Sequence, residues 1–307
     1  MKVFITGGTG LVGGRLIPKL RQRQDQVVVL SRRAGPARER LGGSATVVEG
    51  DPMTPGPWMD AVADCDAVIH LAGEGIFAKR WNDDFKKMLR DSRIKSTANV
   101  VQALAKNPRT ASGAPKVLVN ASAIGWYGPR GGEELDESTP PGTDFLAQLC
   151  VDWEKEAARA QELGVRTSMI RVGVVLDKNG GALSQMLLPF KMCMGGPAGS
   201  GKQWMSWIHH DDLVGIILLA LDNASATGPI NGTAPKPVTN RDFSTALGKA
   251  LGRPSFMPTP AFGLRLMLGE VAGLVVEGQR VLPKKAQALG YQFAFPDIDS
   301  ALKDVLK

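Results

Sequence analysis

The feature that most constrains the fold is a glycine-rich segment between a short apolar run and a helical pattern. Its eight residues are Thr6, Gly7, Gly8, Thr9, Gly10, Leu11, Val12 and Gly13. In this setting the glycines of a GxGxxG pattern permit a tight turn and let backbone amides approach a pyrophosphate at the helix N-terminus. We therefore predict that these eight residues bind a dinucleotide cofactor. A glycine-rich turn without a ligand is the alternative.

Apolar runs rich in β-formers alternate with helical patterns through the first two-thirds of the chain. The runs are Val3–Thr6, Gln26–Leu30, Thr46–Glu49, Ala67–Leu71, Val117–Asn120 and Thr167–Leu176. The clearest helical patterns are Leu11–Arg23, a segment that starts near Trp81 with Asn82 as its cap, and Asp144–Leu163. This alternation predicts the α/β class, with a Rossmann-type doubly wound parallel sheet covered by helices on both faces.

The composition changes after Leu176. Six glycines fall within residues 177–204, residues 205–222 again look like a strand and a helix, and the later elements are short and proline-rich. We therefore predict two units. Residues 1–176 and 205–225 form the cofactor-binding Rossmann domain, and residues 177–204 and 226–307 form a smaller C-terminal substrate lobe.

The end of the second predicted strand bears on the choice of cofactor. An NAD site places Asp or Glu ~20 residues beyond the glycines, where it holds the ribose hydroxyls. This strand instead ends in Ser31, Arg32 and Arg33. A hydroxyl and two guanidinium groups suit a 2′-phosphate, which predicts NADP(H) rather than NAD(H). A solvated basic loop is the alternative.

Composition argues against several classes of protein. The formal charge is +7, but there is no dense basic run and only 6% of residues are aromatic, which disfavours nucleic-acid binding. Cys65, Cys150 and Cys193 form no CxxC pair, which favours a reducing compartment over disulfides or zinc. The longest clean apolar run, Val214–Leu221, is far shorter than the ~20 residues of a spanning helix. We expect a cytoplasmic protein without a membrane partner.

Further motifs extend along nearly the whole chain. They are Leu71-Ala72-Gly73-Glu74, Ser122-Ala123-Ile124-Gly125-Trp126-Tyr127-Gly128, Val151-Asp152-Trp153-Glu154, Trp207-Ile208-His209-His210-Asp211-Asp212-Leu213 and Glu277-Gly278-Gln279-Arg280-Val281-Leu282-Pro283. With the glycine segment, they resemble the extended short-chain dehydrogenase/reductase superfamily, and within it the atypical epimerase-like branch with a C-terminal domain of unknown function. The resemblance implies a nicotinamide cofactor, contacted also by Leu71, Ala72 and Gly73, and a small-molecule substrate.

The catalytic pattern of that superfamily is incomplete in this chain. Its usual pair is a Tyr and a Lys four residues later on one helix face, where the Lys lowers the pKa of the phenol. If Glu154 takes the family's usual Glu position, Leu146 and Cys150 occupy the places of the pair. The resemblance still places Ser122, just beyond the fifth strand, at the position of the catalytic hydroxyl.

Three other side chains are candidates for catalysis, each with an alternative. Tyr127, in the same loop as Ser122, is either a proton donor or a buried structural tyrosine. Glu74 is either an acid/base that faces the nicotinamide or a solvated carboxylate, and Lys202 is either a stand-in for the missing lysine or a solvated loop residue. The segment before Gln203 matches GxxxxGK, but it lacks the following Ser or Thr of a nucleoside triphosphatase.

A cluster of His209, His210, Asp211 and Asp212 invites a metal site. Adjacent residues on an extended segment point to opposite faces, so we expect no metal here, and we expect Asp211 or Asp212 to cap the following helix.

Two functions remain open from the sequence. One is an NADP-dependent oxidoreductase or epimerase-like enzyme in which Ser122 and Tyr127 polarise a carbonyl of a small substrate. The other is a non-catalytic NADP-binding protein that senses redox state or engages a partner. The excess of basic residues in the N-terminal half either attracts an anionic substrate or only aids solubility.

Overall fold

The computed structural model describes all residues from Met1 to Lys307. Its strands are β1 Lys2–Thr6, β2 Gln26–Ser31, β3 Thr46–Glu49, β4 Ala67–His70, β5 Val117–Ala123, β6 Glu134–Leu135, β7 Arg166–Val172, β8 Val174–Leu176, β9 Trp204–Met205, β10 Trp207–His209, β11 Gly228–Gly232, β12 Val238–Thr239 and β13 Arg280–Val281. Its α-helices are α1 Leu11–Gln22, α2 Ala34–Leu41, α3 Trp58–Ala63, α4 Asp83–Lys106, α5 Phe145–Glu162, α6 Gly181–Lys191, α7 His210–Asp222, α8 Asn240–Leu251, α9 Ala261–Leu268, α10 Gly273–Val276, α11 Lys284–Ala288 and α12 Ile298–Val305.

Seven parallel strands form the central sheet in the order β3-β2-β1-β4-β5-β7-β11. The chain moves outward from β1 through β2 and β3, and then returns to the other side of β1 with β4. The predicted Rossmann-type doubly wound parallel sheet is therefore confirmed. The reversal of direction opens a crevice between the carboxyl ends of β1 and β4, which is where open α/β sheets bind ligands.

Alternating side chains divide the core between the two faces of the sheet. Val3 and Ile5 of β1 belong to a cluster that includes residues of α1 and α7, whereas Phe4 belongs to a second cluster with residues of α3 and α4. This period-two alternation of apolar residues buries both faces of the strand, as a parallel sheet requires.

A third apolar cluster lies outside the central sheet. Its larger members come from β8, α6, β10, α8 and α12, and they are Leu176, Leu183, Leu187, Phe190, Trp207, Phe243, Leu247, Ile298, Leu302 and Val305. β8 and β10 pair with each other in a separate two-stranded sheet. β11, which lies in the segment predicted for the lobe, instead pairs with β7 and forms one edge of the central sheet. Its sequence, GPING, has no alternating apolar pattern that could have indicated a strand.

No helix in the structure combines the length and the apolar character that crossing a membrane demands.

Candidate functional site

The glycine-rich loop lies against the loop that follows β4. Gly7 has a φ of +69°, and a Cβ built on it would stand 2.8 Å from the carbonyl carbon of Leu71. A Cβ on Gly13 would stand 2.5 Å from the Gly7 carbonyl oxygen. Only glycine satisfies both positions, and the close packing brings residues 6–13 and 71–73 together at the crevice.

The N-terminus of α1 is open toward the same crevice. Gly10 is the cap residue and provides no side-chain hydrogen bond, and the first turn contains no acidic residue. The first amides of a helix lack intrahelical partners and carry a partial positive charge. The arrangement suits an anion such as a pyrophosphate.

A chain of hydrogen bonds fixes the loop after β4. The amide of Ala72 donates to Thr6 Oγ1 (3.2 Å), which pairs with His70 Nδ1 (2.6 Å), and His70 Nε2 pairs with Ser96 Oγ on α4 (3.0 Å). Ser96 Oγ in turn donates to the carbonyl oxygen of Ser92 (2.6 Å), so His70 Nε2 carries the proton in this chain. Burial lowers the pKa of His70 to about 3, which keeps the imidazole neutral.

Glu74 belongs to the next part of this loop, and its backbone is held by α4. Its amide donates to Ser92 Oγ (3.1 Å), and its carbonyl oxygen accepts a hydrogen bond from Arg93 Nη2 (3.0 Å). The Arg93 guanidinium also lies 5.2 Å from the centre of the Trp153 ring. Arg93 and Ser92 therefore act as supports of the predicted nicotinamide loop, a role that the sequence motifs alone did not reveal.

The end of β2 presents two free cations. Ser31 Oγ accepts from the amide of Arg33 and donates to its carbonyl oxygen, at 3.2 Å in both cases, which closes a tight turn. The side chains of Arg32 and Arg33 are exposed. Neither takes part in any of the ion pairs of the structure, so both guanidinium groups are available to an anionic ligand.

A cavity of about 530 Å³ lies beyond the loop that follows β5. It is lined by Trp81, Gly125, Pro129, Asp144, Phe145, Leu146, Arg265, Gly269, Glu270, Gly273, Leu274, Glu277, Gly278 and Gln279. Three acidic residues and one arginine belong to this lining, and each carboxylate already has a partner. Glu270 pairs with Lys86 (2.7 Å), Glu277 lies 3.9 Å from Arg265, and Asp144 Oδ1 accepts from the amide of Ala147 as the cap of α5 (2.9 Å).

The structure shows what stands at the two catalytic positions that the resemblance pointed to. Leu146, on the first turn of α5, lines the cavity next to Gly125. Cys150 is buried one turn further on, and burial raises the pKa of its thiol to about 12. An aliphatic side chain and a protonated thiol cannot perform the proton transfer of a Tyr and Lys pair.

Ser122 lies in a buried polar network rather than on the cavity wall. Its hydroxyl donates to Glu154 Oε1 (2.6 Å), and the Glu154 carboxylate accepts two hydrogen bonds from Arg171, at 2.8 and 2.9 Å. The Arg171 guanidinium lies 3.8 Å from the centre of the Trp126 ring. Arg171 is a charged residue inside an apolar strand pattern, and this was the one sequence signal that could have revealed the network.

Tyr127 belongs to the same network and is fully buried. Its hydroxyl donates to Asn231 Oδ1 on β11 (2.7 Å) and accepts from Arg171 Nη1 (3.0 Å). Burial raises the pKa of Tyr127 to about 12, although Arg171 opposes that shift. Neither Ser122 nor Tyr127 is among the cavity-lining residues, so their predicted contact with a substrate carbonyl stays a prediction.

Lys202 is exposed, has no ion pair and does not line the cavity. The neighbouring Gln203 makes the structural contacts of this loop, because its amide group donates to the carbonyl oxygens of Ala198 and Val275, each at 2.9 Å. The structure thus brings the glycine loop and residues 71–73 together, whereas no hydrogen bond or ion pair links Lys202 to either.

The histidine cluster differs from expectation in two ways. One ligand atom from each of His209, His210 and Asp211 falls within 4.8 Å of the others, because α7 begins at His210 and the segment is not extended. The cap of α7 is His209, whose Nδ1 accepts from the amide of Asp211 (3.1 Å), and neither Asp211 nor Asp212 caps the helix. Asp212 is buried and binds the hydroxyl of Tyr291 (3.0 Å).

Comparisons with known proteins agree with this geometry. The profile of the NAD dependent epimerase/dehydratase family matches residues 3–231, and the profile of a domain of unknown function, DUF1731, matches residues 259–305. The Arabidopsis thaliana protein "Epimerase family protein SDR39U1 homolog, chloroplastic" is 42% identical over 312 residues, which cover 100% of this chain and 87% of that protein. The Homo sapiens protein "Epimerase family protein SDR39U1" is 38% identical, with full coverage of both.

Solved structures extend the similarity. The crystal structure of human epimerase family protein SDR39U1 (isoform 2) with NADPH has a TM-score of 0.86 and 36% sequence identity, and the match covers 99% of each chain. UDP-glucuronic acid 4-epimerase from Bacillus cereus, in complex with UDP-glucuronic acid and NAD, has a TM-score of 0.78 at 16% identity over 100% of this chain and 99% of that chain, a likeness of fold alone. The chain belongs to the NAD dependent epimerase/dehydratase family.

Proposed function

We propose that this protein binds NADP(H) in the crevice between β1 and β4, and that it performs oxidoreductase or epimerase-like chemistry on a small molecule in the neighbouring cavity. The observation that carries the proposal is a pair of anion sites on adjacent strands. One is the uncapped N-terminus of α1 after β1, and the other is the unpaired Arg32 and Arg33 at the end of β2. NADP(H) carries a pyrophosphate and a separate 2′-phosphate, which suit these two sites.

The residues of the crevice fit this cofactor. Residues 6–13 would hold the pyrophosphate through backbone amides, Ser31, Arg32 and Arg33 would hold the 2′-phosphate, and Leu71, Ala72 and Gly73 would contact the nicotinamide half. The bound cofactor supplies a hydride that can be transferred to or from a carbon atom. The NADPH in the structure of the human relative supports the assignment.

The cavity supplies the substrate site in this proposal. Trp81 and Phe145 pack edge to face with ring centres 5.5 Å apart, and together with Leu146 they form an apolar wall. Gln279 and Arg265 also belong to the lining and carry side-chain hydrogen-bond donors.

A second candidate is a non-catalytic NADP(H)-binding protein that reports redox state or engages a partner. Leu146 and Cys150 favour it, because the side chains at the expected acid/base positions cannot exchange a proton near neutral pH. The cavity favours the enzymatic candidate, because small-molecule substrates bind in preformed cavities of this kind.

A titration with NADPH and NADH at fixed ionic strength, followed by tryptophan fluorescence, tests cofactor binding. We expect NADPH to bind more tightly, and we expect Arg32→Ala/Arg33→Ala to weaken NADPH at least tenfold while NADH changes little, because each charge-assisted hydrogen bond contributes about 1.5–3 kcal/mol. Arg40→Ala is the matched control, since Arg40 is exposed on α2, two turns beyond Arg33. Equal affinities, or an unchanged NADPH affinity in the double variant, would refute the assignment.

A second experiment separates the two candidate functions. Turnover of bound NADPH is measured with a panel of carbonyl compounds and sugar nucleotides, in the native chain and in Ser122→Ala/Tyr127→Phe. Turnover that the double variant abolishes, while NADPH still binds, supports the predicted role of these hydroxyls. Turnover that persists unchanged removes both residues from catalysis, and no turnover on any compound supports the non-catalytic candidate.

A further inference from the structure

The exposed apolar side chains of this protein are concentrated on one part of its surface. Eleven large apolar side chains are exposed, and eight of them come from two segments: Leu188, Met192, Met194, Phe256, Met257, Phe262, Leu266 and Met267. Phe262 and Leu266 are the most exposed, at 77% and 75%. We call these eight residues the apolar surface. Clustering of this kind marks an interaction site, whereas exposed apolar residues that are scattered singly do not.

Backbone hydrogen bonds hold the two segments side by side. The amide of Met257 donates to the carbonyl oxygen of Gly195 (3.1 Å), and the amide of Thr259 donates to that of Pro197 (2.9 Å). Within the segments, helical spacing of four residues aligns Leu188 with Met192, and Phe262 with Leu266. The eight side chains therefore belong to one region and not to separate sites.

α9 shows most clearly that this region lacks a partner. The helix has eight residues, Ala261–Leu268, and none of them is buried. Seven of the eight are apolar or glycine, and the exception is Arg265. Ala261, Leu264 and Leu268 are partly buried, whereas Phe262, Leu266 and Met267 are exposed. Because helices in proteins are stabilised mainly by burial of an apolar face, α9 gains less from the fold than its apolar composition allows.

The charge around the apolar surface is predominantly positive. Its two segments and their flanks carry six cations, which are Lys178, Lys191, Lys202, Lys249, Arg253 and Arg265. The nearby acids are all paired, because Asp299 lies against Lys249, Glu277 against Arg265 and Glu270 against Lys86. Lys178, Lys191, Lys202 and Arg253 therefore remain without an acidic partner. An apolar surface with an excess of unpaired cations is complementary to an apolar phase bounded by anions.

We propose that the apolar surface docks on an anionic lipid membrane, with its apolar side chains in the interface and its lysines and arginines at the lipid headgroups. Exposed Phe, Leu and Met side chains insert at the boundary between headgroups and acyl chains, and nearby cations are attracted to anionic headgroups. A second copy of the chain fits less well, because like charges would face each other across a symmetric contact. Docking needs no spanning helix, so it is compatible with the absence of one.

This contact would place the cavity close to the membrane. Arg265 belongs to α9 and also lines the cavity, and Gly269 and Glu270 continue the lining directly after the helix. The proposal differs from the sequence-based expectation of no membrane partner, which depended only on the lack of a spanning segment.

Vesicle co-sedimentation of the full chain tests the proposal. We expect binding to vesicles of phosphatidylcholine with phosphatidylglycerol, little binding to phosphatidylcholine alone, and release at high salt. Lys191→Gln and Arg253→Gln should each weaken partitioning about fivefold. Phe262→Ser and Leu266→Ser should each weaken it about tenfold or more. The controls are Lys303→Gln, an exposed and unpaired lysine on α12, and Met88→Ser, an exposed residue on α4, and neither should change binding.

Affinity for NADPH, measured on the same variants, shows that each is folded and separates this proposal from the proposed function. Failure to bind anionic vesicles, equal binding to both vesicle types, or equal losses in the control variants would overturn the proposal. Light scattering that shows an oligomer in the native chain and a monomer in Phe262→Ser, without vesicle binding, would also overturn it and would assign the apolar surface to a second copy.

Discussion

The buried pair of Arg171 and Glu154 permits a quantitative test of how the loop after β5 is held. The side chains are 2% and 6% exposed and share two hydrogen bonds of 2.8 and 2.9 Å. Replacement of one partner leaves the other charge buried without compensation, which typically costs about 3–5 kcal/mol. Burial opposes the charge of Arg171, but hydrogen bonds to Glu154 outweigh it and hold the pKa of the guanidinium above its usual value. Loss of Glu154 removes that support, but a guanidinium is not deprotonated in proteins, so Arg171 stays charged without its partner.

We expect Arg171→Met and Glu154→Leu each to lower the free energy of unfolding by about 4 kcal/mol. In the double variant the free energy of unfolding should fall by only about 1–3 kcal/mol, because no buried charge remains. The main cost is then the Ser122 hydroxyl, which has lost its hydrogen-bond acceptor. Urea unfolding followed by circular dichroism measures the free energy of unfolding of all three variants, provided that its slope against urea concentration is the same in each.

The surface offers a matched control on the same helix. Asp152 lies on α5, two residues before Glu154, and its ion pair with Arg90 is 24% and 47% exposed. Arg90→Met should cost less than about 1 kcal/mol, because water screens the pair. If the losses from Arg171→Met and Glu154→Leu simply add in the double variant, the two side chains act independently and the network does not hold the loop.

Two further predictions concern the crevice. Gly13→Ala should weaken NADPH binding at least tenfold and lower the free energy of unfolding by about 1–3 kcal/mol, because its Cβ would overlap the glycine loop. Gly14→Ala is the control and should leave binding unchanged, because a Cβ on Gly14 meets nothing within 4 Å. The pKa of His70 is about 3 in the folded chain and about 6.5 when unfolded, so the unfolded state takes up the proton first as the pH falls. Lowering the pH from about 7.5 to about 5 should therefore reduce the free energy of unfolding by about 2 kcal/mol through His70. Burial also lowers the pKa of His209, to about 4, so this residue should reduce the free energy of unfolding further over the same pH range. Urea midpoints at both pH values measure this, and a flat profile would contradict it.

Much of the central sheet could be predicted because its strands are local patterns. Most of the predicted runs, such as Gln26–Leu30, match observed strands, and the caps Asn82 and Asp144 mark the starts of α4 and α5. The run Thr167–Leu176 was predicted as one strand, but the structure divides it between β7 and β8, which belong to different sheets. α2 and α3 were missed since they are short, with eight and six residues, and the first contains Gly35 and Pro36. Short helices acquire their stability from tertiary contacts that no local pattern contains.

The candidate site likewise contains one part that the sequence predicts and another part that it does not. The glycine loop was predictable because the chemistry lies in consecutive residues with a strand on one side and a helix on the other. The contact of Tyr127 with Asn231 joins residues 104 positions apart, through a strand whose sequence gives no strand signal. The cap of α7 shows a related limit, since either Asp211 or Asp212 matched the propensity for a cap but His209 holds the position.

The interleaved course of the chain has a consequence for the order of folding during synthesis. Strands β1 to β5 and β7 all precede residue 173, so most of the central sheet can assemble while the ribosome still holds the rest. The third apolar cluster draws Leu176 and Leu183 from the middle of the chain but also Ile298 and Leu302 from α12. Until α12 emerges, the apolar residues of α6 and α8 are without part of their cover. Nascent chains at this stage therefore expose apolar surface, and we expect chaperones to bind them more than chains of any other length.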